Sequence, residues 1–148
     1  GYNDFNFYIP ANAVREFVWN IFADHYLEMV KPRAYGQGFT EREQKSAFYT
    51  LHTCMEMILH LLAPIIPFMT DHIARQVYHE QSVHDEKFPE AVWNFGMENL
   101  TEKIRNFNSS VWNEKKSKGM SLKDTIKLEI PAELKIFEKD LKAMHNLE

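Results

Sequence analysis

The chain has 148 residues, of which 45% are hydrophobic, 14% aromatic and 26% charged, with only five glycines and six prolines. That is room for one domain with a small appendage, and a composition that excludes a disordered chain. The formal charge of −4 excludes a surface coated in positive potential, so any contact with nucleic acid has to come from a local cluster of cations.

From Asn12 to about Met29 the spacing predicts a first helix. Val14, Val18, Ile21, Phe22 and Met29 fall on one side, and Phe17 and Tyr26 widen the stripe. Pro32 lacks an N–H and clashes backward, so the helix is expected to stop there, with Lys31, Arg33, Tyr35 and Gly36 gathered at its end. The chain restarts at Thr40 with Thr-Glu-Arg-Glu, a capping box in which Thr40 and Glu43 satisfy each other's backbone amides. Phe48, Leu51, Met55, Ile58 and Leu62 then recur every three or four residues, as in a helix packed in a bundle. Pro64 breaks that helix and Pro67 opens a third, whose apolar face reads Ile66, Met69, Ile73 and Val77.

His79 to Phe95 carries no helical period and reads as an irregular connector laying Val83, Phe88, Val92 and Trp93 over the bundle. Asn99 with Glu102 gives another capping pattern. Leu100, Ile104, Phe107 and Val111 follow on one face of a fourth helix, which ends in the basic run Lys115, Lys116 and Lys118. In Thr125 to Ile130 the period changes to two, which predicts a strand. Pro131 then starts a last helix with Leu134, Phe137, Leu141 and Met144 at heptad spacing. One strand cannot satisfy its own backbone groups. The expected fold class is therefore mainly α, a helical bundle over 1–122, with 123–148 beginning a C-terminal α/β appendage.

One cysteine, Cys54, excludes a disulfide framework and points to a reducing compartment, the cytoplasm. No apolar run approaches the roughly 20 residues that span a bilayer, and the first residues lack a charged and apolar leader pattern, so no membrane association or secretion is expected.

The chemistry-bearing patterns are few. His52, Glu56 and His60 share a helix face, but a zinc-type site needs further ligands that the sequence does not indicate, so no metal is expected. Cys54 lies in a core stripe, where a small buried thiol is the common case. No nucleophile, base and orienter assemble from spacing, and no glycine-rich phosphate loop is present. Catalysis by this chain alone is not expected. The lysines after residue 114 have two readings: a solvated helix end favoured by the helix dipole, or an edge that contacts phosphate. Lys31 and Arg33 have the same two readings, and Tyr35 beside them has the shape to stack on a base.

Several stretches together resemble a known family. FVWNIFADHYLEMVKPRAYG (Phe17 to Gly36) is similar to the first helix of the anticodon-binding domain of class I aminoacyl-tRNA synthetases of the valyl, isoleucyl and leucyl group; Trp19-Asn20, Asp24, Tyr26 and Lys31-Pro32-Arg33 are nearest the valyl type. LLAPIIPFMTDHIARQVY resembles the family's apolar helix running into a Pro-Phe-x-Thr-Glu-Glu-Ile pattern, and SVHDEKFPE its short stretch before the next helix. IRNFNSSVWNEKKSKGMSL resembles the helix with a Lys-Gly-Met-Ser-Leu exit. Asp71-His72 in place of two acids, and Ala74 in place of a tryptophan, depart from the pattern, and the His-Ile-Gly-His signature of the catalytic domain is absent.

The resemblance implies a module that binds the anticodon side of a valine tRNA, within an enzyme whose catalytic domain, using ATP and Mg, would precede Gly1; no cofactor is implied for this chain. It further implies tRNA contacts from Lys31, Arg33 and Tyr35 on the first helix and from Arg105, Asn106, Lys115, Lys116 and Lys118 on the fourth. The alternatives are the same domain of an isoleucyl or leucyl enzyme, or a helical protein-interaction module.

Overall fold

A computed structural model describes residues 1–78, 82–90 and 98–148. They fall into two compact units, one of Gly1–Trp19 with Phe48–Trp93 and one of Asn20–Ala47 with Asn94–Glu148. The fold is mainly α, as expected. In chain order it has α1 (Tyr8–Phe17), a π-helical stretch Val18–Leu27, α2 (Glu28–Ala34), α3 (Glu41–Leu62), α4 (Pro67–Tyr78), α5 (Glu98–Ser117) and α6 (Glu138–His145). Short 3-10 turns lie at Tyr2–Asp4, Val83–Asp85 and Ala132–Phe137. Among the described residues no helix is long and apolar enough to cross a membrane.

The first unit has a small core of Leu59 and Ala63 from α3, Ala74 from α4, and Val83, with Ile73 and Tyr78 packed against it. The Asp71 carboxylate ties the end of this core together, accepting from the Ser82 hydroxyl at 2.6 Å, the Val83 amide at 3.2 Å and Arg75 Nε at 2.8 Å. Those bonds, the Ser82 hydroxyl first, pull its pKa down to about 2. The predicted face of α4 is rotated. Ile66, Met69 and Val77 are exposed, while Thr70 and Ala74 are buried, because the small side chains are the ones that let this helix approach its neighbours closely.

Pro67 does stand at the first position of α4, where its missing N–H costs nothing. Val83 is buried, and Phe88 meets Tyr2 edge to face at 4.9 Å. The expected cover by Val92 and Trp93 lies outside the described residues.

The second unit is larger. Met29, Phe107, Val111, Ile126, Ile130, Leu134, Leu141 and Leu147 form its core, and Leu100, Ile104, Phe137 and Met144 pack against it. The face read for the fourth helix therefore holds, and the four apolar residues after Pro131 do reach the core, but Leu134 and Phe137 do so from a 3-10 turn and only Leu141 and Met144 from α6, which starts at Glu138. The predicted strand does not form. In residues 125–130 Ile126 and Ile130 are buried, yet the segment's only pairing is an isolated parallel bridge between Ile126 and Leu147. Period-two burial needs only a flat apolar surface beneath, and here helices supply it without a second strand.

Helix boundaries also differ from expectation. α5 is already running at Asn99, which is thus no N-cap. The first helix begins at Tyr8 and continues through Pro32 to Ala34. A proline in the last turn withdraws a single donor, which the helix tolerates; the true stop is Gly36, in the left-handed region at φ +69°. The capping box of α3 is present, Thr40 N–H donating to Glu43 at 2.7 Å and Glu43 N–H to the Thr40 hydroxyl at 3.3 Å.

Candidate nucleic-acid interface

Two helices of the second unit end by the same device. At the end of α2 the Gly36 amide donates to the Arg33 carbonyl at 3.0 Å and the Gln37 amide to the Pro32 carbonyl at 2.9 Å. At the end of α5 the Gly119 amide donates to Lys116 at 3.1 Å and the Met120 amide to Lys115 at 2.9 Å, with Gly119 at φ +65°. These paired bonds define Schellman motifs, which turn the chain sharply off the helix axis and demand glycine at the left-handed position. The Gln44 amide also donates to the Ala34 carbonyl at 2.6 Å, satisfying another end group of α2.

The chain leaving these two ends lines one groove of about 760 Å³. Lys31, Pro32 and Tyr35 come from α2 and its cap, Trp112 from α5, and Lys123 and Asn146 from the C-terminal region. Tyr35 is 72% exposed. Trp112 is held in place, its ring stacked on His25 at 5.4 Å and meeting the edge of His145 at 5.8 Å. Cations and aromatic rings on one concave surface can do two things: meet phosphates, and stack on bases that have left a helix. Lys31 is paired with Glu28 one turn earlier, on the same groove.

The eight candidates divide. Lys31 and Tyr35 stand on the groove. Lys116 and Lys118 are exposed at the α5 end; Lys118 pairs with Glu114 at 2.8 Å, and Lys116 has no carboxylate partner among the described residues. Arg105 and Asn106 line a separate hollow of about 460 Å³ with His25, Glu102 and Ser109.

Arg33 and Lys115 are structural. Arg33 donates through Nε to Asp140 at 2.8 Å and through a second nitrogen to the other carboxylate oxygen, clamping α2 to α6. That charge-assisted fork holds the guanidinium proton more firmly still. Lys115 is 0% exposed and donates to the carbonyls of Leu122, Asp124 and His145, each at 2.7 Å. It cannot belong to a cationic rim, since all three of its donors are engaged inside the unit.

Beneath the groove runs a buried polar chain. Asn108 accepts from His145 Nε2 at 2.8 Å and donates to His25 Nδ1 at 3.2 Å. Burial first, and then the Lys115 charge, push the His145 pKa down to about 4, and burial and Arg105 lower that of His25. Both rings are therefore neutral at pH 7. Lys123 belongs to the basic run after residue 114, whereas Trp112, Gln37 and Asn146 stand outside every site pattern of the sequence. A signal existed for Trp112, an aromatic neighbour of the buried Val111; none existed for Gln37 or Asn146, which the fold alone brings to the groove.

His52, Glu56 and His60 do not converge on a metal. His60 Nδ1 lies 2.8 Å from the Glu56 carbonyl and Nε2 2.8 Å from Glu86, while the His52 carbonyl accepts from Tyr78 at 3.2 Å. Among the described residues no group of three or more His, Cys, Asp or Glu is placed to hold an ion. Burial raises the Cys54 thiol pKa, which leaves it a poor nucleophile.

Residues 1–130 match a family described as the anticodon-binding domain of tRNA ligase. The chain is 44% identical to a valine–tRNA ligase of Pyrobaculum aerophilum over 99% of its own length and 19% of that protein's. It is 39% identical to the valine–tRNA ligase of Aeropyrum pernix over 97% of the chain and 18% of the relative. For Nanoarchaeum equitans the figures are 35%, 98% and 18%. The chain thus spans about a fifth of the length of these relatives. No solved structure matches it.

Proposed function

Because the chain belongs to the family of anticodon-binding domains of tRNA ligases, we propose that it grips the anticodon side of a valine tRNA, as one part of a cytoplasmic enzyme that joins valine to that tRNA at the expense of ATP. The chemistry falls to residues outside this chain, and the module contributes binding free energy and orientation. The observation that carries the reading is the groove on which Lys31, Tyr35, Trp112 and Lys123 meet. Lysines take the phosphates, while Tyr35 and Trp112 offer ring faces to unstacked loop bases. Lys116 and Lys118 extend the cationic edge along the α5 end, and Arg105 and Asn106 supply a second contact from their own hollow. Arg33 and Lys115 act by holding the scaffold.

The test is a titration of the chain with transcribed valine tRNA, and with the same tRNA carrying an altered anticodon, at several salt concentrations. Tighter binding of the unaltered tRNA is expected. The double variant Lys31→Ala, Lys123→Ala should lower the salt slope by roughly 0.7 for each lost phosphate contact. Preference for an isoleucine or leucine tRNA would reassign the parent enzyme. Indifference to every tRNA would overturn the reading and leave a protein-interaction module.

A further inference from the structure

Lys123 is exposed on the groove wall, but its backbone is not free. Its N–H donates to the Ser121 hydroxyl at 3.3 Å, and its carbonyl accepts from Asn146 Nδ2 at 3.2 Å. The carbonyls on either side of it, of Leu122 and Asp124, both accept from Lys115. The third Lys115 proton goes to the His145 carbonyl, next to Asn146. One ammonium therefore fastens the two backbone segments that supply Leu122, Lys123 and Asn146 to the groove, and it does so from beneath, since it is fully buried.

We propose that Lys115 is a positioning residue for RNA: its caged ammonium sets the 121–124 turn and thereby fixes where the Lys123 charge meets phosphate. The proposal rests on the anticodon-binding reading given above. An ammonium suits the task because its three donors point in a tetrahedral fan and converge on three carbonyls at one distance, which a planar guanidinium cannot reproduce. No carboxylate hydrogen-bonds to it; three carbonyl dipoles hold the charge, with the Asp124 carboxylate helping through space, so moving the turn would leave a poorly compensated cation inside the unit. Burial accordingly lowers its pKa. A lysine held in this way favours one loop geometry strongly over all others, and the wall of the groove is ordered before RNA arrives.

The decisive comparison sets Lys115→Met against Lys123→Ala in the full chain. Affinity for valine tRNA is read at several salt concentrations, and hydrogen exchange at the amides of Leu122, Lys123 and Asp124. Lys115→Met should weaken binding about tenfold, the scale of losing the ordering of one or two flexible groups. It should leave the salt slope unchanged and speed exchange at those amides. Lys123→Ala should lower the slope by roughly 0.7 and leave exchange alone. A fall in slope for Lys115→Met would make Lys115 a direct phosphate contact and overturn the proposal, as would unchanged affinity or unchanged exchange.

If Lys115→Met does not fold, Asn146→Gly, which removes the bond to the Lys123 carbonyl and still accommodates the left-handed backbone at φ +51°, must show the same signature in smaller measure. Absence of tRNA binding by the unaltered chain would instead overturn the anticodon-binding reading and the RNA half of this proposal with it, while the exchange data would still decide whether Lys115 holds the turn.

Discussion

The two units keep their polar groups in opposite places. Of the six buried polar residues among those described, five (His25, Asn108, Lys115, Asp140 and His145) belong to the second unit, and only Thr70 to the first. Thr70 bonds locally, to the carbonyls of Ile66 just before its helix and of Pro67 at the helix start. The first unit is an apolar core stitched at its surface by Asp71; the second is built around interior charge and hydrogen bonding, and it carries the groove. Buried polar networks rigidify when every member is satisfied and are costly when one is lost. The difference thus teaches where a fixed geometry has been specified, and that is beneath the candidate RNA-binding surface.

The sharpest way to break this comparison is Asp140→Ala. Its carboxylate is 4% exposed and holds Arg33 by a two-pronged bond. Its loss strands a guanidinium that retains 29% exposure, so a destabilisation of about 3 kcal/mol is expected, the low end for breaking a buried pair. Thermal and urea unfolding measure it. Replacing both partners, Arg33→Met with Asp140→Leu, should recover most of that loss, and a change under about 0.5 kcal/mol for Asp140→Ala would deny the second unit its interior charge dependence.

Next in size is a pH effect. The folded His145 has its pKa lowered to about 4 from an ordinary 6.5, so the fold favours the neutral ring. Its contribution is complete above pH 6.5 and is lost as pH falls from 6.5 toward 4, at up to about 1.4 kcal/mol per pH unit. His145→Gln should flatten that slope. In the first unit Asp71 has its pKa depressed from 3.8 to about 2, so its contribution persists above pH 4 and fades only between about 4 and 2. Acid should therefore loosen the second unit first, and Asp71→Asn should lower the melting temperature by less than Asp140→Ala. Loss of order in the first unit near pH 5 would reverse the comparison.

How much of this could be read in advance depends on the range of the forces involved. Local periodicity carries the face of α5 and the apolar positions after Pro131, because Phe107, Val111, Leu134 and Leu141 bury where their spacing assigns, Leu134 from the 3-10 turn ahead of α6. The same periodicity contained the role of Lys115, which stands four residues after Val111 and eight after Phe107 on the buried stripe. A lysine's charge by itself points to a solvated helix end, but position prevails over residue type here and the side chain is buried. Arg33 was beyond reach for another reason: its partner Asp140 lies 107 residues away in sequence, and only the fold brings them together. Pro32 stands in a last turn, where a proline withdraws a single donor and does not end the helix, and residues 125–130 bury alternate side chains against helices without a partner strand. The groove itself was half legible, since Lys31 and Tyr35 are local to a helix end while Trp112, Lys123 and Asn146 arrive from elsewhere.

The smallest expected effect is the most informative about the surface. Glu28 pairs with Lys31 across one helical turn, with both side chains nearly half exposed, and both line the groove. Such a pair contributes little to stability, so Glu28→Gln should move the unfolding free energy by no more than about 0.5 kcal/mol. Yet its carboxylate both occupies Lys31 and repels phosphate. Removing that charge should tighten valine tRNA binding a few fold at 0.1 M salt, where charges are felt over about 10 Å, and by nothing measurable at 1 M, where that range shrinks to about 3 Å. A gain confined to low salt places the groove's surface charges in recognition, opposite in kind to the buried ones that hold the scaffold. A loss of affinity would mean instead that Glu28 accepts from an amino group on a base, making it a reader of base edges rather than a brake on Lys31.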